Sequence, residues 1–108
     1  MSDIVKELSQ DTFDQTIQAE NIALTDFWAP WCGPCRMIAP HVEAAAKKLD
    51  GEAAFFKVNI DENIELAERY DVQTIPTLVI FKGGEEVARL VGVRGRDDIE
   101  AAVRAAMG

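Results

Sequence analysis

Two cysteines three residues apart, Cys32 and Cys35, carry the clearest chemistry in this 108-residue chain. They stand in the run Trp31-Cys32-Gly33-Pro34-Cys35, which follows an apolar strand-like segment and opens a helix-like one. Residues i and i+3 of a first helical turn have Cα atoms about 5 Å apart, within reach of a disulfide. The bridge can therefore close and open with little backbone movement. A helix N-terminus also offers free N–H groups and the positive end of the helix dipole, which favour a thiolate. Cys32 at the tip gains most, and Cys35, one turn deeper, is expected to be more buried. The expected reaction is thiol–disulfide exchange. Cys32 attacks a substrate disulfide, and Cys35 then resolves the mixed disulfide and becomes bridged to Cys32. Pro34 fixes a helical φ without needing an N–H, and Gly33 leaves room for a partner backbone.

Other readings of the pair stand beside this one. A zinc site needs four ligands, and Cys32, Cys35 and the single histidine, His41, supply three. A static disulfide or two inert buried cysteines are the remaining alternatives. The N-terminal stretch has no apolar core of a signal peptide, and no apolar run approaches the ~20 residues of a membrane span. The expected setting is thus cytoplasmic and reducing, where a structural disulfide is out of place.

The surrounding sequence alternates strand and helix patterns. Strands are expected over 4–8, 22–28, 53–60, 76–81 and 86–91. Helices are expected to about residue 19 after a Ser9 or Asp11 cap, and over 33–49, 63–70 and 96–107. The order βαβαβαββα predicts a mixed α/β sheet with helices on both faces. Pairing is expected parallel across helices and antiparallel across the Lys82-Gly83-Gly84-Glu85 turn. The strands around Phe27 and Phe56 are expected at the centre. The length suits a single domain, spanning 1–108. A net charge of −8, from 19 acidic and 11 basic side chains, argues against nucleic-acid binding.

Around the cysteines, Asp26 interrupts an apolar strand. Buried, it has a raised pKa and suits proton transfer; at a frayed strand end it is merely wet. Lys57 either pairs with Asp26 across neighbouring strands or snorkels to the surface. Trp31, just before the first cysteine, reads as an exposed contact residue, with Trp28 packed beneath. Pro40 lies within a helix and is expected to kink it.

The segment from Asp26 to Pro40 resembles the active-site segment of the thioredoxin family throughout. Lys57-Val-Asn-Ile-Asp61, Ile75-Pro-Thr77, Phe81-Lys-Gly-Gly84 and Gly92 follow in that family's order and spacing, so the likeness covers nearly the whole chain. It implies a five-stranded mixed sheet flanked by four helices. It also implies a protein-disulfide reductase and electron carrier, in a family that is itself the standard case of a lowered cysteine pKa. Carried over, Cys32 is the nucleophile, Cys35 the resolving thiol, and Asp26 the proton acceptor for Cys35, tuned by Lys57. Gly33 and Pro34 tune the redox balance toward reduction. Pro76 is implied to be cis, against the usual trans bias of X–Pro bonds. Trp31, Gly33, Pro34, Ile75, Pro76 and Gly92 form the implied substrate surface.

The implied partners are a flavoprotein thioredoxin reductase using NADPH and clients such as ribonucleotide reductase, peroxiredoxin and methionine sulfoxide reductase. No bound cofactor and no metal are expected beyond the redox disulfide itself, and a monomer suffices. Thr74, Asp71 and Val93 depart from the smaller residues common in the family. A disulfide oxidase or isomerase, and a binding module without redox turnover, are the rival functions. The Gly-Pro spacer and the absent leader speak against the first.

Overall fold

Alternating apolar positions on the strands create two hydrophobic layers, one on each side of a single sheet. The structure, a computed structural model, describes residues 4–108. Met1 to Asp3, at the start of the stretch read for a leader, lie outside the described residues. The elements in chain order are β1 (Val5–Glu7), α1 (Gln10–Gln18), β2 (Ile22–Trp28), α2 (Gly33–Lys48), β3 (Ala54–Asn59), α3 (Ile64–Arg69), β4 (Thr77–Lys82), β5 (Glu85–Val91) and α4 (Arg96–Met107). The result is the five-stranded mixed sheet with four helices that the sequence pattern implied.

The strand order is β1-β3-β2-β4-β5. Pairings β1–β3 and β3–β2 are parallel, and β2–β4 and β4–β5 are antiparallel. One expectation fails here. Helix α3 joins β3 to β4, yet β4 does not pair with β3. It crosses to the far side of β2 and runs antiparallel to it. The central strand is β2, as its apolar run suggested, but β4 is as interior as β3. The Leu78–Phe81 run is buried throughout, which puts apolar surface on both faces of β4.

On β2, Ile22 and Leu24 join Leu78, Ile80 and Phe55 under α2 and α4, contacting Ile38, Val42, Ile99 and Val103. Ala23 and Phe27 face the other way, with Val79, Phe81, Phe56 and Val58, under Phe13 and Ile17 of α1 and Leu66 of α3. The Gly83-Gly84 turn has φ of 60° and 89°, the positive values that a two-residue hairpin of this hand requires.

This topology gathers loops at one end of the sheet. Trp28, the last residue of β2, is in register with Asn59, the last of β3. Thr77, the first residue of β4, pairs with Phe27 on one side and Val91 on the other. The segments 29–35, 59–63, 74–76 and 91–92 therefore meet at a common edge.

Candidate active site

Cys32 and Cys35 are joined in a disulfide with Cα atoms 5.2 Å apart. Cys32 is the N-cap of α2, and its sulfur accepts the backbone N–H of Cys35 at 3.1 Å. A sulfur thus occupies the place that a Ser or Asp oxygen usually takes at a helix start. An N–H aimed at that sulfur stabilises it more as a thiolate than as a thiol. Pro34 fits within the first turn because no helical N–H is needed there.

The sequence reading expected Cys32 exposed and Cys35 deep. In the disulfide both are equally buried, at 4 % exposure. The difference between them lies in surroundings. Cys32 holds the capping N–H and lies 3.9 Å from the Ile75 carbonyl oxygen. Both pack with Ala29, Trp28, Ile60 and Ile75.

The Ile75–Pro76 peptide bond is cis. The Gly92 N–H donates to the Pro76 carbonyl at 2.9 Å, which ties the end of β5 to this loop. Gly92 has φ of 88°, a conformation that asks for glycine although a Cβ there would meet open space. Around Gly33 a side chain would also meet nothing, so the surface beside the disulfide is open. Trp31 is 66 % exposed, and its indole N–H donates to Asp61 Oδ2 at 2.9 Å.

Asp26 lies on the face of β2 that Ile22 and Leu24 share, which α2 covers. It is 5 % exposed, and its Oδ1 has no hydrogen-bond partner. Burial pushes its pKa up to about 7, while the Lys57 charge works in the opposite direction. Lys57 is directly in register with Asp26 on β3. Among the ion pairs of the described residues, no Asp26–Lys57 pair forms within 4 Å. The Lys57 ammonium instead sits over the Trp28 ring, 5.3 Å from its centroid. Lys57 is thus half-buried and stacked on Trp28 without a direct ion pair to Asp26, on which its charge acts at a distance.

Cys32, Cys35, Trp31, Gly33, Pro34, Ile75, Pro76 and Gly92 gather at this end of the sheet, and Asp26 and Lys57 lie side by side on its α2 face. Sequence reasoning missed Asp61 and the asparagines Asn59 and Asn63 beneath it. The pairing of an exposed indole with a carboxylate thirty residues away leaves no local signal. Among the described residues, no three His, Cys, Asp or Glu side chains gather to hold a metal ion. No helix among them is long and apolar enough to cross a membrane.

Comparison with known proteins points one way. The thioredoxin family model matches residues 4–105. Thioredoxin 1 of the cyanobacterium Nostoc is 47 % identical over 87 residues, covering 80 % of this chain and 81 % of the relative. A Staphylococcus epidermidis thioredoxin is 46 % identical over 96 residues, covering 89 % and 90 %. Among solved structures, Malassezia sympodialis thioredoxin superposes with a TM-score of 0.87 at 32 % identity, covering 96 % of this chain and 91 % of that one. A mutant thioredoxin from Halobacterium salinarum gives 0.84 at 36 % identity, covering 97 % and 94 %.

Proposed function

The chain belongs to the thioredoxin family, and from that premise we propose how its cysteine pair is run and which partners it serves. Its activity is dithiol–disulfide exchange: as a protein-disulfide oxidoreductase it reduces disulfides in other proteins. Family members work with a reductase and with disulfide-bearing clients.

In the proposed cycle Cys32 is the nucleophile. Its thiolate attacks one sulfur of a client disulfide, the client S–S bond breaks, and the other client sulfur leaves as a thiolate that takes a proton from solvent. The Cys35 thiol then gives its proton to the Asp26 carboxylate and attacks the Cys32 sulfur. The mixed disulfide breaks, and the second client sulfur leaves. Two electrons pass to the client, and Cys32–Cys35 ends oxidised. An acceptor with a pKa of about 7 is half ionised at neutral pH, which suits proton transfer in both directions. Lys57 tunes it, and Gly33 and Pro34 set the redox balance. Trp31, Ile75, Pro76 and Gly92 receive the client chain beside the sulfurs.

The oxidised pair is recharged by thioredoxin reductase drawing on NADPH, so the chain serves as a soluble electron carrier in the cytoplasm. The proposed clients are ribonucleotide reductase, peroxiredoxins and methionine sulfoxide reductases. The chain acts as a monomer and as one domain over 1–108, without a resident cofactor.

The observation that carries the assignment of roles is the Cys35 N–H directed at Cys32 sulfur. It favours charge on Cys32, not Cys35. Reduction of insulin disulfides tests it. Cys32→Ser is expected to abolish turnover, and Cys35→Ser to accumulate mixed disulfides with the client through Cys32. Turnover retained by Cys32→Ser would reject the assignment.

A further inference from the structure

Trp31 is an exposed indole, yet it is not free to wander. Its N–H is bonded to Asp61 Oδ2. The Asp61 backbone N–H is in turn bonded to Asn59 Oδ1 at 2.9 Å. The Asn59 backbone carbonyl accepts from Asn63 Nδ2 at 3.0 Å. Asn63 Oδ1 accepts the backbone N–H of Gln10 at 2.9 Å, and Gln10 Oε1 accepts the N–H of Glu65 at 3.0 Å. Asn63 precedes α3 but caps the first N–H of α1, while the first residue of α1 caps α3. Each helix start thus closes the other.

Asn59 and Asn63 are 7 % and 5 % exposed. A buried amide that loses its partner bears a desolvation penalty, so these bonds are held firmly. The Trp31–Asp61 bond lies in water and is weak alone. It holds the indole only if Asp61 is itself held.

We propose that Asn59 and Asn63 are positioning residues for Trp31, acting through Asp61, and that this relay fixes the client-docking surface beside Cys32. The inference rests on Trp31 being part of that surface. A fixed aromatic face meets a client chain without first losing its own rotational freedom, which favours association. The relay leaves the sulfurs alone: none of its bonds reaches Cys32 or Cys35. It therefore acts on client binding and not on the exchange step.

The test measures KM and kcat for insulin reduction, together with the rate toward a small aromatic disulfide that needs no docking surface. The nitrogen relaxation of the Trp31 indole N–H, its signal assigned with Trp31→Phe, reports its order. Asp61→Ala and Asn63→Ala are expected to raise KM about three- to tenfold with kcat little changed. The small-disulfide rate stays at the wild-type value, and the indole becomes mobile. Asp61→Asn, which keeps an oxygen for the indole, is expected to restore most of both. Asn63→Asp keeps the bond to Gln10 but loses the donor to the Asn59 carbonyl. It is the milder variant should Asn63→Ala not fold, and it is expected to shift KM in the same direction. A folded Asn63 variant with wild-type KM and an ordered indole overturns the relay, as does Asp61→Asn behaving like Asp61→Ala. Failure of wild-type protein to reduce insulin at all overturns the functional reading instead.

Discussion

Burial keeps a proton on Asp26 up to about pH 7 in the folded chain, whereas its ordinary value is 3.8. Between those two values the folded state binds a proton that the unfolded state has lost, so stability falls as pH rises through this window. Above about pH 7 both states are ionised, and the penalty is constant. Asp26→Asn is therefore expected to be more stable than wild type at pH 8, by up to about 4 kcal/mol. The gap should shrink below pH 7 and close near pH 4, as chemical denaturation across pH would reveal. The same variant should slow insulin reduction at pH 8. Removing the charge at Lys57, as in Lys57→Met, should move the Asp26 titration to higher pH, because Lys57 is what holds it down. The cysteine pair and Asp26 were legible in the sequence because each breaks a local pattern. Asp61, Asn59 and Asn63 break none. Their roles arise from bonds to Trp31 and to α1, made by residues far away in the chain.

Helix ends show how an element absorbs a departure from its family's pattern. The sequence marks Asp71 as standing where a glycine is common. In the fold it has φ of 51°, the left-handed region that glycine occupies most readily. The Val72 N–H bonds to the Ala67 carbonyl at 2.8 Å and the Asp71 N–H to the Glu68 carbonyl at 3.1 Å, the paired bonds of a Schellman end to α3. Asp tolerates this conformation better than most residues, and its carboxylate accepts from Gln73 Nε2. Asp71→Val is expected to lower stability by about 1–2 kcal/mol, and Asp71→Gly to match or exceed wild type. Thermal unfolding should give the order Gly, Asp, Val, and a Val variant as stable as wild type would contradict the account. The elements themselves were readable from periodicity and punctuation. Their pairing was read less well. The βαβ pattern suggests that β4 lies parallel to β3, and no local feature announces that it crosses β2.

For the molecule as a whole, strand order turns scattered segments into one site. Strands β2 and β3 run parallel and end together, β4 begins at that same edge, and β5 returns to it. The rest of the sheet, packed on both faces, is a rigid base for that edge. The central claim is that this base serves a reducing dithiol, and the reduction potential of the Cys32–Cys35 pair tests it most directly. Equilibration against thiol–disulfide buffers is expected to leave the pair oxidised until the buffer is more reducing than the range of about −200 to −230 mV typical of glutaredoxins, on a scale where thioredoxins themselves mark the reducing side. A potential near the value of about −180 mV of disulfide isomerases, or higher, would contradict the account.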